Sequence, residues 1–380
     1  MSSEDEAVTR TLFPLFPVYG CAPAAPRSLS PPHASSSPPP LPTAIGALKH
    51  YAIYNVEAGR GSTYFAIATH DIEDTYLPGF HATVKDAGSL GYMCSYAALT
   101  NAELIPSSAE AKFPHSEPAC ASKFFAQQKM ITEWGFEGYV QSDCGAVNNL
   151  WSQEKWAVNK TDAAARALKD GMMNSNCGGG LVDNICAAVD EGLADIADLK
   201  ARVGRTFTLL MEAGLFDPLA GNPYTSIPFD TINSAEAQER SLDAARQSLV
   251  LLRNPTVASS AGAGVLPIPP SATHKIALIG PHSRSQKDLA GNYFEDIGVG
   301  TCAGPGCITT LEAALNTLAP SNVTTVLGCT DPKDPSGASR KCESLPALQV
   351  LAAVAAANAA EHVVFALGID GTIEGEGHDR

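Results

Sequence analysis

The sequence predicts an α/β protein with two successive parallel-sheet domains. Three observations carry this. From Ile45 onward short apolar runs alternate with segments of helical period, the pattern of strand–helix units joined by right-handed crossovers. Beyond about residue 270, three runs apolar on both faces suit buried parallel strands: Ile276–Ile279, Val323–Leu327 and Val363–Leu367. Between the two sets lies a polar, Pro/Gly-rich stretch beginning at Phe216-Asp-Pro-Leu-Ala-Gly-Asn-Pro, which reads as an interdomain linker.

A chain of 380 residues with 45% hydrophobic and 17% charged residues is globular and long enough for two cores. A net charge of −15 argues against nucleic acid and against an anionic membrane surface as partners. No apolar run approaches the ~18 residues of a membrane span. The start, Met1-Ser-Ser-Glu-Asp-Glu, is acidic where a secretory leader is basic, so no signal peptide is expected. The ten cysteines do not make a disulfide scaffold in a chain this long. Cys302 and Cys307 lack the flanking ligands of a zinc site, which leaves a few disulfides or buried thiols. Asn159-Lys-Thr161 and Asn322-Val-Thr324 fit the glycosylation acceptor pattern, a weak signal.

In chain order, residues 1–44 are dominated by Pro, Ser and Ala and predict a disordered tail. His50–Tyr54 is the first strand candidate. A helix follows from Asp71, with Ile72, Tyr76, Phe80 and Val84 on one face and Pro78 as a kink or stop. Gly91–Tyr96 is the second strand, and Ala121–Trp134 a helix with Phe124, Met130, Ile131 and Trp134 inward. The stretch around Tyr139 and Val140 is a buried strand that presents Asp143 at its carboxyl end. Asp143 is there either a catalytic carboxylate or the N-cap of the helix around Val147–Leu150. Thr161 is expected to cap the next helix, Met172–Cys177 to form a fourth strand, and Asp195 to cap a helix whose core face is Leu199, Val203, Phe207 and Leu210, ending at Gly214. A helix carrying Leu242, Ala245 and Leu249 opens the second domain, whose later helices are Leu311–Leu318 and Leu348–Ala360. Gly280-Pro281 lacks the three-glycine fingerprint of a dinucleotide site.

Two acidic loops at strand ends, one per domain, suggest the paired carboxylates of glycoside cleavage: an ionised nucleophile and a protonated acid. The bland alternatives stand beside this. By acidity alone Glu374, Glu376 and Asp379 suit a solvated loop better than a site, Lys49-His50 also suits a solvent-facing strand start, and Tyr96 suits a core position better than a ligand. No Ser-His-Asp, Gly-x-Ser-x-Gly or HExxH arrangement is present.

Residues 45–380 resemble glycoside hydrolase family 3, in particular its β-xylosidase-like members. The resemblance is carried by Lys49-His-Tyr-Ala52, Asp74-Thr-Tyr-Leu-Pro78, Met93-Cys-Ser-Tyr-Ala-Ala98, the run Trp134–Cys144 and Gly214-Leu-Phe-Asp-Pro218. In the second half it is carried by Ala244–Arg253, Ile276–Pro281, Gly291-Asn-Tyr293, Gly368–Glu376 and Asp379-Arg380. It implies a retaining, exo-acting, secreted glycosidase, β-xylosidase before β-glucosidase, that uses no metal or organic cofactor and takes an oligosaccharide as substrate. Asp143 matches the nucleophile, while Lys49, His50 and Tyr96 match residues that hold the terminal sugar. Glu374 matches the acid/base, with Glu376 as the alternative. The implied fold is a partial (β/α)8-type barrel over 45–215, a linker over 216–245, and a partial α/β/α sandwich over 246–380. Four strand–helix units are about half of the eight that close such a barrel. The family's segment ahead of Lys49-His50 is replaced by the 1–44 tail, Asn174-Ser-Asn176 stands where the family is acidic, and residues 102–117 look inserted. The family also continues beyond Asp379-Arg380. A catalytically silent fragment or carbohydrate-binding remnant is therefore the alternative expectation.

Overall fold

The computed structural model describes residues 45–107, 113–218, 226–255, 264–268, 271, 273–286, 289, 308–329, 347–371 and 373–380. The expected disordered tail 1–44, Cys302, Cys307 and Gly291–Tyr293 lie outside the described residues. The chain divides into two compact units, one up to Phe229 and the other from Asp230.

The first unit is built on a parallel sheet of three strands, β1 (Ala47–Tyr51), β3 (Gly91–Cys94) and β6 (Tyr139–Ser142), in the order β1-β3-β6. Gly91 lies opposite both Ala47 and Tyr139, and Cys94 opposite Ser142. Beside it, β2 (Tyr64–Ala66), β4 (Ala98–Thr100) and β5 (Ser116–Pro118) form a small mixed sheet. Among the described residues no closed barrel forms. The α/β class is as expected, but the first strand begins three residues earlier than the sequence suggests. The expected fourth strand at Met172–Cys177 shrinks to one bridge, Gln141 with Ser175. Met172 has a positive φ of 55°, which interrupts an extended run at its start.

The core of this unit is aromatic. Tyr51, fully buried, meets Phe80, Tyr92, Phe125 and Trp134 edge-on at ring separations of 4.9–6.0 Å. Such contacts suit the ring quadrupoles, and each ring buries a large apolar area. The Tyr51 hydroxyl is satisfied by donating to the Phe125 carbonyl at 3.2 Å. The helices around this core are α1 (Pro78–Lys85), α2 (Lys123–Glu133, wound as a π-helix), α3 (Ala146–Ser152), α4 (Lys160–Lys169), α5 (Ile185–Asp190) and α6 (Ile196–Glu212). Ahead of α1 a helical segment runs over residues 69–76, α-helical to Asp71 and π-wound from Ile72. It stops at Leu77, so that Pro78 opens α1 as its first residue; the proline breaks the expected long helix, at a place where its missing N–H costs nothing.

Two expectations about α4 and α6 are corrected. Asn159, not Thr161, caps α4 by accepting from the Asp162 N–H, and Thr161 is buried as the second residue of the helix. Asp195 does cap α6, and the helix ends ahead of Gly214 in a left-handed conformation. Its expected core face is only half realised: Leu199 packs against the core and Leu210 is half-buried, whereas Val203 and Phe207 are 45% and 47% exposed and Leu209 is the one fully buried residue of the helix. The helix meets α4, β6 and the 172–174 segment, so periodicity identified an apolar stripe but not what covers all of it.

The second unit contains α7 (Ala235–Ser248), β7 (Ile276–Ile279), α8 (Leu311–Leu318), β8 (Val323–Val326), α9 (Ala347–Ala359) and β9 (His362–Phe365). The sheet is parallel in the order β8-β7-β9. All four residues of β7 are buried, as expected of a central strand. The flanking strands are edges and alternate instead, with Val363 and Phe365 exposed. Thr310 caps α8, and Arg284 grips Glu312 on its first turn through two bonds of 2.8 and 2.7 Å. Leu242 on α7 and Leu249 just after it are exposed.

Candidate active site

The site assembles at the carboxyl ends of β1, β3 and β6. Asp143 follows β6 directly. Its backbone N–H donates to the Cys94 carbonyl at 3.1 Å, tying it to the end of β3. Its Oδ1 accepts from the Cys144 N–H at 2.7 Å. Oδ2 faces His50 Nε2 at 3.5 Å, from the end of β1. The residue is 8% exposed, so the carboxylate is largely shielded, bonded by the Cys144 N–H on one oxygen and facing His50 with the other.

The alternative role of Asp143 as a helix N-cap is not realised. Gly145 occupies that position with φ of 82°, and no side chain caps α3. The tight turn at Cys144-Gly145 is closed by the Cys144–Cys177 disulfide and by the Gly145 N–H donating to the Cys177 carbonyl at 2.8 Å. Across it Gly178 packs so closely that a Cβ there would stand 2.7 Å from the Gly145 nitrogen. The turn thus aims the Asp143 carboxylate at His50 rather than at the helix. A second disulfide, Cys94–Cys120, holds the end of β3.

His50 is half-buried, and burial lowers its pKa below the usual imidazole range; the Asp143 carboxylate pulls the other way without prevailing. Its ring also meets Tyr54 edge-on at 5.1 Å. Tyr96 is buried, and its hydroxyl donates to the Cys144 carbonyl at 2.7 Å, bracing the turn beside Asp143. Lys49 is exposed next to His50. The structure therefore brings Asp143, His50 and Tyr96 into one cluster with Lys49 on its edge.

Sequence reasoning missed a second layer of this cluster. The Arg60 guanidinium stacks over the Tyr96 ring at 4.5 Å, bonds the Tyr54 hydroxyl, and pairs with Glu57 at 2.7 Å. The signal was present as Tyr54, Glu57 and Arg60 spaced by threes around the Gly59-Arg-Gly61 turn, but only a folded loop turns that spacing into stacking on Tyr96. A separate groove lined by Leu104, Glu117, Lys123, Phe124 and Gln127 has none of the cluster residues in its wall.

Glu374 lies in the second unit, on the loop after β9. It is exposed, and its Oε2 accepts from Arg380 Nε at 3.0 Å. The loop is folded locally: the Glu374 N–H donates to the Asp370 carbonyl, and Gly375 and His378 exchange backbone bonds of 3.0 Å. Glu376 is exposed in the turn between them.

A carboxylate at the end of a parallel strand, donor-held and flanked by an imidazole and a stacked aromatic–guanidinium layer, defines an α/β protein with a carboxylate-centred site at its strand ends. Residues 43–209 match the Glycosyl hydrolase family 3 N terminal domain. Over that segment the chain is similar to this family, and over most of its length to exo-1,4-beta-xylosidases. It is 30% identical over 349 residues to the probable exo-1,4-beta-xylosidase xlnD of Neosartorya fischeri, covering 90% of this chain and 39% of that protein. It is also 30% identical over 344 residues to the exo-1,4-beta-xylosidase xlnD of Aspergillus oryzae, covering 88% and 38%. Among solved structures, the family 3 exo-beta-xylosidase XlnD in complex with a xylobiose aziridine activity-based probe superposes with a TM-score of 0.69 at 28% identity, over 89% of this chain and 39% of that one. A β-glucosidase from Listeria innocua in complex with glucose shares the fold with a TM-score of 0.65 at 22% identity, over 88% of this chain and 40% of that one. The chain spans about two fifths of the length of these relatives.

Proposed function

We propose that this chain carries the nucleophile side of a retaining, exo-acting β-glycosidase, with a terminal xylose of a xylo-oligosaccharide as the sugar and β-glucosidase as the runner-up specificity. The single observation that supports it most is the Asp143 carboxylate, held by the Cys144 N–H at 2.7 Å on one oxygen and facing His50 at 3.5 Å on the other. Asp143 attacks the anomeric carbon and forms a glycosyl-enzyme, which water then hydrolyses. Lys49 and His50 hold the sugar hydroxyls, and Tyr96 holds both the sugar and the turn. Glu374 is assigned the acid/base role, with Glu376 as the alternative; this assignment rests on the sequence resemblance. No metal or organic cofactor enters the reaction. The domain limits 45–215, 216–245 and 246–380 belong to the same proposal.

The site of action is outside the cell. Two disulfides, Cys94–Cys120 and Cys144–Cys177, favour an oxidising compartment, and among the described residues no helix is long and apolar enough to cross a membrane.

A second reading, sugar binding without turnover, is favoured by the three-stranded sheet that carries Asp143 and by the open apolar stripe of α6. The two separate on one experiment. The purified chain is incubated with an activated 2-fluoro-xyloside, then digested and its peptides weighed. A label on the peptide containing Asp143 supports the enzyme. Saturable xylose binding with no label supports the silent reading, and a label on another carboxylate sinks the assignment of Asp143.

A further inference from the structure

We propose that the second unit holds a structural site for a divalent transition-metal cation of the zinc type, made by His274, Glu361 and His362. Among the described residues these form one group whose ligand atoms, one from each side chain, all lie within 4.8 Å of one another. The proposal is independent of the glycosidase reading, since it uses none of the residues assigned to that chemistry.

The sheet brings the three together. His274 stands two residues ahead of β7, while Glu361 and His362 stand at the entry to β9. The two strands pair in parallel with Ile276 opposite His362. The Glu361 and His362 N–H groups both donate to the Lys275 carbonyl, at 2.8 and 3.2 Å, which locks the entries of both strands side by side. The imidazole rings consequently meet at 5.2 Å between centroids. A tetrahedral zinc ion with bonds of about 2.0–2.2 Å holds its ligand atoms about 3.4 Å apart. Small side-chain rotations at half-buried rings and an exposed carboxylate bridge the remaining gap.

A second observation points to a ligand. Nδ1 of His274 is buried and has no hydrogen-bond partner. A polar ring nitrogen withdrawn from water without a partner is unfavourable, and a metal on this cluster would recruit the ring. The donor set identifies the class of cation. Two imidazoles and one carboxylate suit zinc and its late first-row neighbours, whereas calcium and magnesium demand oxygen ligands. The carboxylate offsets part of the cation's charge, and a water completes the fourth position on the exposed side.

The position argues for a structural role. The cluster sits at the amino ends of β7 and β9, whereas the Glu374 loop follows the carboxyl end of β9. The four residues of β9 separate the two by about 13 Å. A bound ion would clasp the entries of two strands, and binding that favours the folded unit raises its stability by mass action.

The test uses the full 380-residue chain, stripped with a chelator and titrated with Zn2+ alone by calorimetry and with Co2+ by visible absorption. About one equivalent of Zn2+ is expected, with a higher melting temperature and the intense bands of tetrahedral Co2+. The double substitution His274→Asn with His362→Asn is expected to weaken Zn2+ binding at least tenfold and to remove the Co2+ bands. His70→Asn, an exposed histidine outside the cluster, leaves both unchanged. Should the double variant fail to fold by circular dichroism, Glu361→Gln decides: it alters only an exposed charge, and is expected to weaken binding and shift the Co2+ bands. Wild-type affinity and spectrum in either folded variant, or no Zn2+ uptake by the parent chain, overturns the proposal.

Discussion

His50 Nε2 lies 3.5 Å from Asp143 Oδ2 although the strands that carry the two residues are not neighbours. β3 runs between β1 and β6, so the two strand axes are about 9.6 Å apart at the usual spacing. The contact therefore closes over the end of β3, where the Cys94 carbonyl accepts the Asp143 N–H at 3.1 Å. One carboxylate gathers all three strand ends into a site.

Asp143→Gly should reduce turnover of aryl xylosides by at least about a thousandfold in any active preparation, since the covalent intermediate needs this carboxylate. Azide should give no β-configured product. Steady-state kinetics with product analysis by NMR provides the check, and retained turnover would exclude Asp143 as nucleophile.

Glu374→Ala should slow substrates with poor leaving groups far more than activated aryl glycosides, because only the former need protonation. Glu376→Ala should show the milder effect. Comparing kcat/KM for xylobiose and for a dinitrophenyl xyloside separates the two, and a reversed pattern moves the acid/base role to Glu376.

The pKa of His50 is lowered by burial, and Asp143 opposes the shift. In an NMR titration the His50 ring should thus titrate below the ordinary value of about 6.5. Asp143→Asn should move the midpoint lower still, because the raising charge is gone. The corresponding stability is fully present above the unfolded value and is lost as pH falls through the lowered folded value. His50→Gln should flatten that acid-side decline. A midpoint that rises in the Asp143 variant would show that the carboxylate does not act on the ring.

Tyr96→Phe removes the donor to the Cys144 carbonyl and should cost about 0.5–1.5 kcal/mol in denaturant unfolding. The ring, and with it the Arg60 stack, is retained. An unchanged midpoint would mean that the hydroxyl does not brace the turn.

Glu154 is buried, its Oε2 has no partner, and burial pushes its pKa well above the usual carboxylate range. The folded chain therefore holds a proton that the unfolded chain loses at about 4.3. Its contribution is complete below that value and is lost as pH rises towards the folded value. Glu154→Gln, which mimics the protonated form, should raise stability at pH 7 by at least about 1 kcal/mol and change it little at pH 4. Thermal melts at the two pH values test this, and equal effects at both would refute an ionising Glu154.

The sequence by itself did not determine the small β2-β4-β5 sheet, but it did determine the three parallel strands of the first unit, the central buried strand Ile276–Ile279, the helix Leu311–Leu318, the place of Asp143 at a strand end, and the family resemblance. These are local properties: apolar period, capping chemistry and short motifs are written in neighbouring residues. Tertiary structure alone decided that Gly145 takes the cap position offered to Asp143, and that Asn159 takes the one offered to Thr161, because a cap depends on where the chain turns into the helix. It also decided the pairing of Cys94 with Cys120 and of Cys144 with Cys177, the stacking of Arg60 on Tyr96, and the exposure of the α6 stripe. Above all it decided that His50 reaches Asp143. That contact spans 93 residues of chain and is set by strand order and register, which act between segments that carry no mark of one another in the linear sequence.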